Sequence, residues 1–322
     1  MSKVRRLLGA ALMLALPLLL CQCAKKPVAP SGVRPIKPEE AAKLQEAYDP
    51  WDKRPPSRLD RKEIPSERLE ALGDLSMQTR DYDRSLLNFL QILKDQPENH
   101  ELRYKVGVIF LLKGQLEAAR RELARVLLHQ PEKLAAHEAL GVVHLQEKQY
   151  PLALEEFRLV LASEPNRGHT RYLVGVTHLL AGQTREAISA LEKAAALDPR
   201  HVPTLTALGQ AYIKVKDYPQ AINWLKKGES LAPDQPKNNY QLGMALAGAK
   251  RYAEALQAFL KAGDEAQAYN NIGVHYFMDG QYEEAAKCFQ RALELRPTFY
   301  QEAKVNLNRA LERLQQARHN PS

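Results

Sequence analysis

The chain has 322 residues, of which 45% are hydrophobic, 26% charged and 7% aromatic. So few aromatic residues, with only 16 glycines, argue against a β-sandwich or β-barrel, which needs β-formers and turn residues throughout. The net charge is +8, and because Lys3, Arg5 and Arg6 precede Cys23 with no acidic residue among them, the rest of the chain carries +5. Its lysines and arginines alternate with glutamates, so we expect no basic face for nucleic acid.

The N-terminus has the pattern of an export signal. The basic start MSKVRR is followed by LLGAALMLALPLLL, a continuous apolar run. Such a run is short for a bilayer-spanning helix but typical of the core of a signal peptide. We therefore predict a signal peptide over residues 1–22.

Cysteines directly follow this apolar run in CQCAKKP and resemble the lipobox of bacterial lipoproteins. The lipobox has a leucine three places before the modified cysteine. Cys23, with Leu20 at that place, is the preferred lipid attachment site; Cys21, with Leu18 there, is the alternative, and an ordinary cleaved signal peptide also remains open. By analogy with lipoproteins in general, Ala24 favours an outer-membrane anchor facing the periplasm. In each of these alternatives the protein is expected to leave the cytoplasm.

Residues 23–65 are rich in proline and charge and are predicted to be a lipid-anchored linker. As a flexible chain, a segment of this length has an end-to-end distance of roughly 35 Å. We expect it to hold the folded part away from the membrane surface.

The rest of the chain repeats at the constant interval that separates Gly73 from Gly107. Each unit has a glycine, a small residue twelve positions later, a large apolar residue four positions after that, and in most units a proline near its end. In the second unit these are Gly107, Ala119, Leu123 and Pro131. The repeat glycines are Gly73, Gly107, Gly141, Gly175, Gly209, Gly243 and, after a shorter gap, Gly273.

These units closely resemble the tetratricopeptide repeat (TPR), a pair of antiparallel helices in about 34 residues. The resemblance implies an all-α fold, a right-handed α-solenoid of seven TPR helix pairs. Glycine on the first helix and a small residue on the second let the backbones approach closely, and the large residue fills the space beside them. The predicted repeats span residues 66–99, 100–133, 134–167, 168–201, 202–235, 236–265 and 266–299.

The sixth repeat is shorter, since Gly273 follows Gly243 at a smaller interval than the one between the other repeat glycines. Gly263 is expected to end one helix in a left-handed conformation, and Asp264 to cap the next helix. The shortening is either the boundary between an arm of six helix pairs and a final module, or a deletion without consequence.

The bulky aromatic residue that often opens the first helix of a TPR is missing in most of these repeats. Arg103, His137, Arg171 and Asn239 stand at this place in four of them. The substitution predicts looser packing at the start of the helix, within the same fold.

Residues 300–322 are predicted to form a capping helix and tail. Apolar residues recur on one side of this segment and charged residues on the other, as in the helix that covers the last apolar face of a solenoid.

His144 and His178 are one repeat period apart and occupy the position held by Phe110, Tyr212 and Tyr276 in other repeats. A side chain that recurs at the repeat period usually has a role in packing the repeat and not in a reaction. Two histidines also fall short of the three or four ligands of a zinc site. We interpret both as packing residues and predict no metal or cofactor.

In the TPR family the first helices line a concave surface, which predicts a binding groove here. Tyrosines among aliphatic residues suit an extended or helical apolar peptide. Valines stand where chaperone-binding TPR proteins need asparagine, so that function is not expected. The predicted groove residues are Tyr104, Val108, Tyr172, Val176, Tyr240, Met244, Asn270 and Val274.

We find no phosphate-binding loop, HExxH or GxSxG motif, and therefore predict no enzyme. The predicted function is a membrane-tethered scaffold that binds a protein or peptide in the cell envelope and assists assembly of a machine such as a pilus or secretion system. The architecture is similar to that of TPR lipoproteins of pilus systems. The alternative is an adaptor that recruits or regulates cell-wall or exopolysaccharide enzymes.

Overall fold

The computed structural model describes residues 64–296 and 300–319, which form fifteen α-helices and no β-strand. The predicted signal peptide, Cys21, Cys23 and the linker up to residue 63 lie outside the described residues. Seven helix pairs and one final helix confirm the predicted all-α TPR fold. The chain divides into two compact units between Ser163 and Glu164.

The first unit contains three helix pairs, in which each helix packs mainly against its pair partner. Its core is a continuous cluster that includes the fully buried Phe89, Leu102 and Leu123. The helices are α1 (Ser66–Gln78), α2 (Tyr82–Asp95), α3 (His100–Leu112), α4 (Leu116–His129), α5 (Leu134–Gln146) and α6 (Tyr150–Ser163).

The second unit contains four helix pairs and the final helix. Leu191, Leu225, Phe259 and Phe289 each lie fully buried inside one of the pairs. The helices are α7 (Gly168–Leu180), α8 (Thr184–Leu197), α9 (Val202–Lys214), α10 (Tyr218–Leu231), α11 (Pro236–Gly248), α12 (Tyr252–Ala262), α13 (Glu265–Met278), α14 (Tyr282–Leu295) and α15 (Gln301–His319).

The repeat glycines bring the two helices of each pair together. A Cβ atom added at Gly175 would lie 2.4 Å from Leu191 Cγ, far inside a van der Waals contact. At all seven repeat glycines the added atom would come within 2.3–2.9 Å of the large residue sixteen positions later. The large residue therefore occupies the space that a side chain at the glycine position would need, as the sequence predicts.

The turn between the helices of a pair contains one residue with positive φ. This residue is Arg80 in the first repeat and Lys148 in the third, with φ of 64° and 61°, whereas Gly182 takes the position in the fourth. Basic residues therefore occupy this left-handed position in four repeats and glycine in three. The sequence therefore shows no recurring glycine at this turn.

The shortened sixth repeat has lost part of its second helix: α12 has 11 residues, whereas α10 and α14 have 14. Gly263 ends α12 with φ of 152°, which is positive but far from the left-handed helical value expected from the sequence. Asp264 accepts a hydrogen bond from Gln267 N at 2.8 Å, so the predicted helix cap is confirmed. The break lies inside the second unit.

In four of the seven repeats, the start of the first helix is held by hydrogen bonds instead of aromatic packing. His137 bridges Pro131 O (2.8 Å) and Glu156 Oε2 (2.6 Å) through its two ring nitrogens. The residues at the same position in three other repeats also donate to the carbonyl of the preceding loop proline: Arg103 to Pro97, Arg171 to Pro165 and Asn239 to Pro233. The looser packing expected at this position is replaced by a polar clamp across the loop.

The final helix α15 covers the last helix pair. Ala303 and Ala310 are fully buried, and Leu307 and Leu314 pack against the cluster around Phe289. Leu311, on the other side of the helix, is 45% exposed. The capping role predicted for this segment is confirmed for the described residues 300–319.

Candidate binding surface

The predicted groove residues of the first unit belong largely to its core. Tyr104 and Val108 are each 7% exposed, and the Lys133 ammonium lies 5.3 Å from the centre of the Tyr104 ring. Little of either side chain is accessible to a ligand.

An ion network lies on the first helices of the same unit. Lys105 Nζ, on α3, donates to Glu70 Oε1 at 2.8 Å and to Asp74 Oδ1 at 2.8 Å, both on α1. Burial lowers the pKa of Lys105, but the hydrogen bonds to Asp74 and Glu70 outweigh it and raise the pKa above its usual value. Burial raises the pKa of Asp74. Glu70 and Asp74 are therefore both paired with a lysine of the next repeat.

In the second unit, Tyr172 lies half-buried in a ring cluster at the start of α7 and α9. Its ring meets the edge of His201 at 5.1 Å between centroids and lies 6.1 Å from His169. Burial, followed by repulsion from His169, lowers the pKa of His201, which therefore favours the neutral form. Val176, one turn further along α7, packs with Tyr172 against the cluster around Leu191 and Leu205.

The remaining predicted groove residues lie on α11 and α13, next to α15. Met244 Sδ lies 3.5 Å from His275 Nε2, and the Tyr240 ring lies 5.7 Å from Phe259. Asn306 Nδ2, on α15, donates to Asn270 Oδ1 at 3.1 Å. We call the surface formed by Tyr240, Met244, Asn270, Val274, His275, Glu302 and Asn306 the α11–α13–α15 face.

Tyr240 is both accessible and desolvated. It keeps 38% of its surface exposed, yet burial raises the pKa of its hydroxyl, and the negative charge of Glu302 on α15 adds to this effect. The α11–α13–α15 face can therefore hold an apolar group beside the tyrosine ring and a hydrogen-bond donor beside Glu302.

The sequence identified four residues of this face and missed three. Asn270 is only 2% exposed because the amide of Asn306 covers it, so it serves the docking of α15. Glu302 and Asn306 lie on the capping helix, which does not continue the repeat, and periodicity therefore gives no signal for them. His275 directly follows Val274, but an aliphatic residue stands at its position in five of the six other repeats, so the pattern predicts a packing residue there.

The recurring histidines make local contacts. His144 Nδ1 lies 2.8 Å from Gln149 Oε1, and His178 Nδ1 lies 2.7 Å from Gln183 Oε1. Each glutamine directly precedes the second helix of its pair, so the contact ties the end of one helix to the start of the next. This geometry agrees with a structural role.

Within the described residues, no helix is both long enough and apolar enough to span a membrane.

Models of the tetratricopeptide repeat match residues 70–130, 113–167, 178–238 and 266–299. The chain belongs to the tetratricopeptide repeat family. Proteins of this family are in general scaffolds that bind proteins or peptides, and not enzymes. A search of curated protein sequences gives no match.

Solved structures share the fold at low identity. PilF of Pseudomonas aeruginosa is 24% identical with a TM-score of 0.52, over 66% of this chain and 99% of that one. A tetratricopeptide repeat protein of Parabacteroides merdae is 15% identical with a TM-score of 0.55, over 76% of this chain and 98% of that one. A chain of the APC/C hetero-tetramer Cut9–Hcn1 is 20% identical with a TM-score of 0.58, over 85% of this chain and 52% of that one. At these identities the likeness shows the fold alone.

Proposed function

We propose that this protein is a membrane-tethered scaffold that binds a segment of a partner protein on the α11–α13–α15 face. The observation that carries the proposal is Tyr240, which keeps 38% of its surface exposed on α11, one turn before Met244. Tyrosine and methionine are favoured in protein interfaces, and Tyr240 and Met244 supply both on α11. An apolar group of a partner can therefore bury itself against these two side chains.

The partner segment is extended or helical and places an apolar side chain against Tyr240 and Met244. Glu302, an exposed acceptor on α15, receives a backbone N–H, hydroxyl or basic group of the segment. Affinity therefore comes from apolar burial, and orientation from the donor that meets Glu302.

The cellular role we propose is assistance in the assembly of a bacterial envelope machine, with a pilus or secretion system as the first to test. The signal-like N-terminus and the lipobox resemblance at Cys23 support an envelope location. Fractionation of cells into inner and outer membranes tests this location. Similarity to the architecture of TPR lipoproteins of pilus systems supports the choice of machine.

Site-specific photocrosslinking in the native host tests the face. A photoreactive benzoyl-phenylalanine replaces Tyr240 in one strain and Gln257 in another. Gln257 is exposed on α12, the second helix of the same pair, and is the matched control. We expect a crosslinked partner from position 240 and none from position 257. Equal crosslinking at both positions, or crosslinking from 257 alone, contradicts the proposal.

Deletion of the gene separates the two cellular roles. Loss of pili or of secretion with normal cell shape supports the assembly role. Altered cell shape or polymer export, with pili intact, supports the adaptor of cell-wall or exopolysaccharide enzymes instead.

A further inference from the structure

A second pair of histidines does not follow the repeat. His100 begins α3 and His129 ends α4, both in the second repeat. One repeat later the chain has Leu134 and Ser163 at these two positions. Since the repeat forms the same helices without them, the helix pair does not need these histidines.

The two imidazoles meet because the start of a first helix and the end of its partner helix lie at the same end of the pair. The ring centroids of His100 and His129 are 4.5 Å apart, and the ring planes are inclined by only 18°. In the fourth repeat the equivalent positions are also neighbours, since a Cβ added at Gly168 would lie 3.5 Å from Leu197 Cβ. The geometry of the repeat brings these two positions together, and in the second repeat both are histidines.

An acidic side chain joins the pair from the loop that precedes α3. Glu98 Oε2 lies 3.8 Å from His100 Nε2. One ligand atom from each of Glu98, His100 and His129 lies within 4.8 Å of the other two. The loop and both helix ends thus bring two nitrogens and one oxygen close to one another, and rotation of the exposed His129 ring out of the stack lets them converge on an ion.

We propose that Glu98, His100 and His129 form a binding site for a divalent transition metal ion, with Zn²⁺ as the best match. Two imidazoles and a carboxylate are the protein ligands of many zinc sites, and a water molecule completes four-coordination at a site open to solvent. Imidazole favours zinc, copper and nickel over magnesium and calcium, which prefer oxygen ligands.

The ligands can close onto an ion without disturbing the core. A tetrahedral zinc site places its ligand atoms about 3.3 Å apart, given zinc–nitrogen distances of about 2.0–2.1 Å. His129 is exposed at the end of its helix, and the Glu98 side chain is 78% exposed, so both are free to move. The His100 side chain, 18% exposed, is the fixed ligand.

The enclosure of His100 selects its ligand atom. Nδ1 of this ring is buried and has no hydrogen-bond partner among the described residues, whereas Nε2 faces Glu98. Nε2 is therefore the metal ligand, and Nδ1 keeps the proton. A bound ion ties the loop at residues 97–99 and the start of α3 to the end of α4, which stiffens this end of the first unit.

Isothermal titration of the full chain, purified without a histidine tag and stripped of metal, tests the site with ZnCl₂. We expect one Zn²⁺ per chain in the wild type and at least about tenfold weaker binding in His129→Ala. His169→Ala, which removes another exposed histidine from α7, is the control and should bind as the wild type does. Wild-type affinity in His129→Ala would overturn the proposal, as would no binding by the wild type.

Two further measurements guard against a folding artefact. Circular dichroism must show the same helix content in His129→Ala as in the wild type without metal. Zn²⁺ should raise the Tm of the wild type and of His169→Ala but leave that of a His100→Ala, His129→Ala double variant unchanged, because an ion stabilises only a fold that binds it. An equal rise in the double variant places the ion elsewhere and contradicts the assignment.

Discussion

The glycine at the centre of each helix pair gives a direct test of the packing inferred from the sequence. Gly175→Leu would force a side chain into the space of Leu191, whose Cγ lies 2.4 Å from the position of an added Cβ. We expect a loss of about 1–3 kcal/mol in the free energy of unfolding, measured by urea denaturation. The matched control is Gly168→Leu on the same helix, where the third repeat already carries Leu134. Equal stability of the two variants would contradict this account of the repeat glycine.

The polar clamp at the start of the first helices gives the second residue-scale prediction. His137→Leu removes both contacts of the imidazole and leaves Glu156, whose side chain is 18% exposed, without this donor. The expected loss is about 1–3 kcal/mol in the free energy of unfolding.

His137→Arg is the informative companion variant. Arg103 makes the equivalent contacts in the second repeat, to Pro97 O and Glu122 Oε2, so arginine should preserve the stability. Thermal unfolding followed by circular dichroism compares the three proteins. If the arginine and leucine variants lose the same stability, hydrogen bonding is not what holds this position.

These two positions show what the sequence reveals at the residue scale. The glycine was predicted correctly because its spacing to the large residue, sixteen positions, is itself visible in the sequence. The polar clamp could not be predicted from the sequence, because its acceptor is a backbone carbonyl of the preceding loop and every residue carries such a group. A pattern of side chains identifies side-chain contacts much better than contacts to the backbone.

At the scale of elements, a single residue, Asp264, caps the start of α13, the helix that follows the short sixth repeat. Asp264 accepts from Gln267 N at 2.8 Å and also receives Arg296 Nη2 at 2.8 Å from the end of α14. Asp264→Ala removes the cap and this ion pair, and we expect a loss of about 1 kcal/mol.

Urea denaturation measures this effect, and Asp234→Ala provides the control because Asp234 is exposed in the loop before α11. We expect the control to match the wild type, since surface substitutions away from caps and networks have small effects. A loss as large in the control as in Asp264→Ala would show that the cap contributes nothing particular to this break.

The helices themselves follow from the sequence, whereas the accessible surface does not. The repeating pattern of small, large and proline residues predicts the helix pairs, including the shortened sixth one, and the structure contains them. Tyr104 and Tyr240 occupy the same repeat position, yet one is 7% and the other 38% exposed. One contribution to the difference is Lys133, which lies over the Tyr104 ring, a contact that the spacing of the repeat does not show.

At the scale of the whole molecule, the proposed function combines a binding face with a tether. The described residues contain the face, on α11, α13 and α15. The tether rests on the sequence of the N-terminus alone, with a linker expected to extend roughly 35 Å. A scaffold held in this way reaches partners near the membrane while its binding face stays free to turn.

Lipid attachment is the prediction on which this arrangement depends. The lipobox resemblance favours Cys23, which has Leu20 three places before it, over Cys21. We expect Cys23→Ser to abolish incorporation of an alkyne-labelled palmitate in a bacterial host and Cys21→Ser to leave it intact. A reversed result assigns the lipid to Cys21 and keeps the tether. Failure of the wild type to take up label, with the protein recovered in the soluble periplasmic fraction, would instead leave an exported scaffold that reaches its partners by diffusion.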